Sequence, residues 1–173
     1  DAVDTVTGAD RSALLGGVAG HVGRGHPPVL RRCARNLIGK RGGIAGDFTV
    51  TCLGEGDYFM VGSGMAERYH KRFFDAVPLP ADTRWHSVTD TMAGFNVAGP
   101  LSRDLLARLT NADLSNGAFP FMRSAQIDVA GVACIALRVS FTGDLGWELH
   151  CAEADQARLY AALLEAGKAV GAG

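Results

Sequence analysis

Two β-rich runs separated by only two residues place the tightest constraint on this chain. Gln126-Ile127-Asp128-Val129 and Val132-Ala133-Cys134-Ile135-Ala136-Leu137-Arg138-Val139 flank Ala130-Gly131. A two-residue link leaves no room for a crossover, so the runs must pair antiparallel as a hairpin. Phe48-Thr49-Val50-Thr51-Cys52-Leu53 and Tyr58-Phe59-Met60-Val61, joined through Gly54-Glu55-Gly56-Asp57, carry a second hairpin signal.

Helical segments are interleaved with these hairpins. One is expected from Met65 to Ala76, closed by Pro78 and Pro80. Another runs from Ala154 to Ala166, where Ala157, Tyr160, Ala161 and Leu164 recur at helical spacing and are expected to face the core. Thr5-Val6-Thr7-Gly8 ahead of Ser12-Ala13-Leu14-Leu15 suggests a strand, a glycine turn and a short helix. Phe95-Asn96-Val97-Ala98-Gly99-Pro100 ahead of Leu105-Leu106-Ala107-Arg108-Leu109 repeats the pattern, with Pro100 suited to a first helical turn. The repeat points to internally duplicated strand–Gly–helix units. Antiparallel hairpins interleaved with helices give an α+β fold rather than a doubly wound parallel sheet.

At 173 residues and 47% apolar content the chain can bury one real core, about a single domain, and lacks the bias of disordered sequences. Its net charge of −1 is spread along the chain, so the electrostatic footprint of a nucleic-acid or anionic-membrane binder is missing. Arg31, Arg32, Arg35, Lys40 and Arg41 form a local exception, readable as a solvated face or as a site for a small polyanion. Cys33, Cys52, Cys134 and Cys151 have no C-x-x-C spacing and read as small core residues in a reducing compartment. His21, His26, His70, His86 and His150 are dispersed and read as surface or packing residues. No apolar run reaches the roughly 18 residues of a membrane helix, and the N-terminus has no signal-peptide pattern, so a cytoplasmic protein is expected. The strand-like start at Asp1-Ala2-Val3 and the stop at Gly171-Ala172-Gly173 read as cuts, so that residues 1–173 form a domain truncated at both ends.

Tyr58-Phe59-Met60-Val61-Gly62-Ser63-Gly64 leading into a helix is similar to the entry of a dinucleotide site. Glu67 replaces the third glycine, the strand is expected to pair antiparallel, and no acid ends a following parallel strand. The glycines therefore read as shaping a turn and a helix start. No nucleophile elbow, H-E-x-x-H or phosphate loop is present.

What remains is acid chemistry. Asp47 lies in Gly46-Asp47-Phe48-Thr49-Val50 and Glu148 in Gly146-Trp147-Glu148-Leu149-His150. A carboxylate among strand-forming aromatic and β-branched residues must find a partner or face a raised pKa, because desolvating its charged form is costly. Both acids are thus candidates to face a ligand. Each also has a plain reading, Asp47 as a solvated turn acid and Glu148 as an edge-strand acid facing water. Asp144, beside Gly143, reads as a turn residue.

These residues carry a family resemblance. Gly42-Gly43-Ile44 through Val50, the Val97-Ala98-Gly99-Pro100 turn, and Arg138-Val139-Ser140-Phe141-Thr142-Gly143-Asp144-Leu145-Gly146-Trp147-Glu148-Leu149-His150 resemble the folate-binding aminomethyltransferase domain. That family includes the T-protein of the glycine cleavage system and the C-terminal folate domain of sarcosine and dimethylglycine dehydrogenases. The latter branch is the nearer in flavour. T-proteins commonly carry a second acid where Gly46 stands, a tyrosine for Phe141 and a glutamate for Asp144. The resemblance implies the fold of that domain and a pocket for tetrahydrofolate, with Asp47 catalytic and a cofactor-binding set of Glu148, Asp47, Phe141, Trp147 and Arg138. It implies one-carbon transfer from a small amine or iminium donor, linked to oxidative demethylation of sarcosine or dimethylglycine. FAD is expected only in an upstream oxidase domain outside this chain, and a flavin oxidoreductase domain or subunit is the expected partner. The family's relatives that assist iron–sulfur protein maturation offer the alternative of a folate-binding module without turnover.

Overall fold

The structure is a computed structural model that describes residues 2–7, 32–38, 44–54, 56–76, 78–79, 81, 83–140 and 142–171. The expected strand at Thr5–Thr7 is described, whereas the glycine turn and helix expected after it, through Ser12–Leu15, lie outside the described residues, as do Phe141 and Arg31, Lys40 and Arg41 of the basic cluster. The chain divides into two compact units, Asp1–Thr89 and Asp90–Gly173.

The first unit is built on a five-stranded sheet. Its strands are β1 (Ala2–Thr7), β2 (Arg32–Ile38), β3 (Ile44–Gly54), β4 (Asp57–Gly62) and β5 (Arg84–Ser87), in the order β2-β3-β4-β1-β5. Every neighbouring pair is antiparallel. The expected β3–β4 hairpin is present, with Cys52 opposite Tyr58 and a register shift before Gly54 that Gly56, at φ 71°, helps to close. A single 3-10 turn, Gly64–Ala66, leads into α1 (Glu67–Asp75), as the proline-bounded segment predicts. Along β3 the pattern alternates, so that Phe48 and Val50 point inward to join Met60 and Phe74 in a small core. Thr51 and its cross-strand partner Phe59 are fully buried too, on the opposite face by the same alternation.

The second unit carries β6 (Met92–Ala98), α2 (Ser102–Leu106), β7 (Ser124–Val129), β8 (Val132–Leu137), β9 (Gly146–Ala152) and α3 (Gln156–Val170). Its sheet runs β6-β9-β8-β7, antiparallel throughout. The two-residue hairpin forms as the sequence requires. Ala130 and Gly131 both take left-handed backbone, φ 55° and 77°, the twist that suits a two-residue turn between right-twisted strands. Gly131 N–H donates to Asp128 Oδ1 at 2.8 Å, an Asx-type bond that completes the turn. The helix after β6 begins at Ser102, and Gly99, at φ 111°, makes the bend with Pro100 ahead of the helix rather than within its first turn.

The face of α3 is a correction. Ala157, Tyr160, Ala161 and Leu164 do not form the core stripe; all four are exposed, Tyr160 by 53% and Leu164 by 49%. The buried residues are Leu159, Leu163, Ala166 and Gly167, which also recur at helical spacing. This helix is apolar on two faces, so periodicity alone allows either. The larger aliphatic pair takes the interior, and Tyr160 stacks on Phe95 at 6.1 Å between ring centroids. Leu159 and Leu163 join Leu105, Leu106, Val129, Val132, Trp147 and Leu149 in the principal core.

Candidate functional site

Strand β9 is the centre of the second unit's candidate site. It is hydrogen-bonded on both sides, with Asn96 of β6 and Leu137 of β8 opposite Glu148. Consecutive strand residues project to opposite faces. Trp147, Leu149 and Cys151 therefore share the face covered by α2 and α3, while Glu148 and His150 share the other.

On that second face the Glu148 side chain retains 18% exposure and His150 only 5%, with 3.6 Å between Glu148 Oε2 and His150 Nε2. Gly94, across from His150 on β6, makes room for the imidazole. A Cβ there would meet His150 Nδ1 and Cε1 at 3.2 and 3.3 Å. A cavity of about 430 Å³ opens beside His150, lined also by Met92, Gln126, Asp128 and Ile135.

The helix-covered face holds the two cations nearest the motif. Arg138 Cζ lies 4.6 Å and Arg103 Cζ 5.8 Å from the Trp147 ring centroid. Arg138 Nη1 donates to Phe119 O at 2.8 Å, and Asn116 Oδ1 accepts from both Arg138 Nη1 and Arg103 Nη2. Burial, and then the Arg103 guanidinium, lower the pKa of Arg138 from its ordinary value. Trp147 is fully buried and meets Phe119 edge-on, so it offers no surface to a ligand.

The glycines of the second motif have separate tasks. Gly146 sits where β9 meets β6, and a Cβ there would lie 3.0 Å from Val97 O and 3.2 Å from Ala98 Cα, so the two backbones approach only because the side chain is missing. Leu145 O accepts from Gly99 N–H and from Ser102 Oγ, tying the loop to the start of α2. Asp144 is the expected turn residue; it is exposed and its Oδ2 accepts from Thr142 Oγ1 at 2.9 Å.

In the first unit Asp47 sits on β3 opposite Asn36 of β2. It is exposed, since alternation turns it away from the side of Phe48 and Val50. The expectation that its surroundings would desolvate it is thereby corrected within this unit: β-branched and aromatic neighbours in sequence lie on the other face. Beside it, Gly46 admits the ring of His70, a buried residue of α1. A Cβ on Gly46 would fall 2.7 Å from His70 Nε2, which donates to Ala45 O at 3.1 Å. His70 packs edge-on to Phe48, and Phe48 in turn to Phe74.

The glycines ahead of α1 do not build a dinucleotide site. Strand β4 is antiparallel to both neighbours, and Glu67 at the helix start accepts from Ser87 Oγ at 2.7 Å and Thr89 Oγ1 at 3.3 Å. A carboxylate stands where a phosphate would be held.

The profile of the GCVT N-terminal domain matches residues 33–173, spanning both acids and the whole of the β7–β9 sheet region. The chain belongs to this family. Among curated proteins similar to this GCVT domain are the mitochondrial dimethylglycine dehydrogenase of Mus musculus, 29% identical over 97% of the chain and 19% of the relative. The mitochondrial sarcosine dehydrogenase of Homo sapiens is 32% identical over 76% of the chain and 16% of the relative. An aminomethyltransferase of Anoxybacillus flavithermus is 29% identical over 86% of the chain and 44% of the relative. The chain thus spans about a fifth of the dehydrogenases it matches. Among solved structures, the glycine cleavage system aminomethyltransferase T of Bartonella henselae superposes with a TM-score of 0.79 at 18% identity, covering 94% of this chain and 43% of that one. The heterotetrameric sarcosine oxidase of Corynebacterium sp. U-96 gives 0.70 at 16% identity, covering 99% of this chain and 82% of that one. These likenesses establish the α+β fold of the GCVT domain.

Within this GCVT domain the residues expected from sequence to form one site are distributed by the strands that carry them. Asp47 belongs to the first unit, and Glu148 to the face of the second unit's sheet opposite its helices. Trp147 and Arg138 lie on the helix-covered face, one residue away in sequence in the case of Trp147. His150 and His70, which read from sequence as surface or packing residues, are both buried. The signal that singles out His150 is its spacing of two from Glu148 on a strand, which places both side chains on one face. Nothing in the sequence pairs His70 with Gly46.

Proposed function

We propose that this chain binds tetrahydrofolate and takes part in transfer of a one-carbon unit from an amine or iminium donor. The observation that carries the reading is Glu148, a partly buried carboxylate fixed on a strand that is paired on both sides, within a chain of the GCVT family. A pterin edge presents adjacent N–H donors in one plane, and a carboxylate accepts two such bonds with charge assistance. Its donor chemistry fits Glu148.

Tetrahydrofolate, when bound, supplies the amine nitrogen that takes up the one-carbon unit. Asp47, exposed on β3, is proposed to lie near that nitrogen. There it stabilises developing positive charge and accepts the proton that transfer releases, a role worth roughly 10²–10⁴-fold as general base catalysis. Arg138 and Trp147 support rather than contact: they brace the helix-covered side of the strand whose other side carries Glu148. Phe141, in the same motif, completes the proposed cofactor-binding set.

The donor is proposed to be the oxidation product of sarcosine or dimethylglycine, delivered by a flavin oxidoreductase domain or subunit, in keeping with the names of the dehydrogenase relatives. A reducing compartment, the cytoplasm or the mitochondrial matrix, suits the free thiols of Cys52, Cys134 and Cys151. Thermal unfolding of the full chain tests the ligand class. Tetrahydrofolate at 100 times its Kd is expected to stabilise by about 2.7 kcal/mol, and NAD to leave the transition unmoved. A shift with NAD and none with folate overturns the reading. Binding without turnover in the presence of the donor leaves only the folate-binding module.

A further inference from the structure

We propose that Arg103 and Arg138 form a binding site for a small organic carboxylate, separate from the folate site and independent of the folate reading. Both guanidiniums donate to one oxygen, Asn116 Oδ1, at 2.6 Å from Arg103 Nη2 and 3.3 Å from Arg138 Nη1, and both lie over the Trp147 ring. Arg138 is only 9% exposed and Arg103 is half-buried. Among the described residues, no carboxylate stands within ion-pair distance of either.

A charge withdrawn from water ordinarily has a counter-charge. Asn116 Oδ1, Phe119 O and the indole face satisfy N–H groups and attract cations, but none of them cancels a unit charge, so the two guanidiniums repel each other across one neutral oxygen. A single monoanion beside Asn116 neutralises that pair. Donors remain for it: Arg138 bonds through Nη1 alone and Arg103 through Nη2 alone, and Arg103 Nε has no acceptor. The edge of a guanidinium carries two parallel N–H groups that match the two oxygens of a carboxylate. The segments that carry the pair also expose apolar side chains, Leu101 by 41% just before Arg103 and Phe121 by 70% just after Phe119. An acid with an apolar body therefore fits better than inorganic phosphate, which brings more charge and nothing to cover those side chains. Trp147 and Glu148 project to opposite faces of β9, so the pair stands on the side of the strand away from Glu148.

Titration of the full chain with phenylacetate, followed by the indole N–H resonance of Trp147, tests this, with Trp85→Phe to assign the signal. A saturable shift is expected with phenylacetate, none with the uncharged phenylacetamide and a weaker one with inorganic phosphate. Arg103→Gln is expected to weaken phenylacetate binding about five- to tenfold, a charge-assisted bond discounted for partial exposure. Asn116→Asp places a carboxylate between the two guanidiniums; it is expected to raise the melting temperature and to abolish the phenylacetate shift. Should Arg103→Gln fail to fold, Asn116→Asp carries the test. No saturable shift in the wild type, an equal shift with phenylacetamide, or an Asn116→Asp variant that is no more stable and still binds would overturn the proposal. An equal shift with phosphate reduces the pair to a general anion patch and overturns the carboxylate assignment. Displacement of phenylacetate by 5-formyltetrahydrofolate would give the pair to that ligand's own carboxylates and overturn a separate site. Failure of the chain to bind folate removes the folate reading and leaves the phenylacetate titration as expected.

Discussion

The guanidinium of Arg138 lies 4.6 Å from the centre of the Trp147 ring, and both side chains are buried. The arrangement joins a cation over an aromatic face to a charge-assisted bond from Nη1 to Phe119 O. Lysine cannot reproduce the planar fork. Arg138→Lys is expected to lower unfolding free energy by about 1–3 kcal/mol in urea denaturation. Folate Kd in the folded variant is expected to change less than twofold; a large change in Kd without loss of stability would return Arg138 to the ligand.

Asp47→Asn keeps the side chain's size and removes its charge. Because Asp47 is exposed, stability should hold. One-carbon transfer is expected to fall roughly 10²–10⁴-fold with folate affinity within a few-fold, the pattern of an interaction made mainly in the transition state. Single-turnover kinetics beside equilibrium titration separate the two quantities, and unchanged turnover would remove Asp47 from the chemistry.

Glu148→Gln turns an oxygen that accepts into a group that donates. An N–H set against a pterin N–H, with one charge-assisted bond gone, is expected to cost about 1.5–3 kcal/mol, roughly ten- to a hundredfold in Kd. Calorimetry at a single pH decides it. Equal dissociation constants would leave Glu148 a strand acid of no consequence for recognition.

Cys134 gives a pH prediction. Burial first, then the nearby Cys151, Asp128 and Asp155, push its thiol up from 9.0 to about 12. The folded state therefore keeps its proton over a range in which the unfolded chain loses it. The stability this contributes is whole below about pH 9 and is lost as pH rises towards 12. Cys134→Ala or Cys134→Val is expected to flatten the alkaline limb of the stability curve. Alkylation of Cys134 at pH 8 should follow global unfolding rather than precede it.

Gly62 has no room for a side chain. A Cβ would sit 2.6 Å from Cε1 of Phe48, a ring already held by His70 and Phe74. Gly62→Ala is expected to destabilise by about 1–3 kcal/mol, as overpacked cores do, measured by thermal or chemical denaturation. No loss would mean that the Phe48 ring yields freely.

What could be read in advance was whatever depends on neighbours in sequence. The Ala130-Gly131 turn, the Gly54–Asp57 link and the proline-bounded α1 are local chemistry, and all three form. Placement of β1 between β4 and β5, or of β9 between β6 and β8, depends on pairing across long stretches of chain that no local pattern encodes. The face of α3 does not follow from periodicity, because two stripes of that helix have helical spacing; only the packing of Leu159 and Leu163 against Trp147 and Leu149 decides between them. At the site, the two acids stood out as charges among apolar residues. Their surroundings did not: the exposure of Asp47, and the seat that Gly94 makes for His150 beside Glu148, follow from strand faces and cross-strand partners.

Trp147 and Glu148 are neighbours in sequence on opposite sides of a strand paired at both edges. A one-residue shift in the register of β9 would exchange their sides, driving a carboxylate into the core and an indole out of it. Substitutions can be absorbed here one at a time, whereas a change of length cannot. Variation that reshapes this protein's ligand preference must therefore arrive through point changes in β9 and through length changes confined to loops such as 138–145, leaving the spacing between the tryptophan and the glutamate untouched.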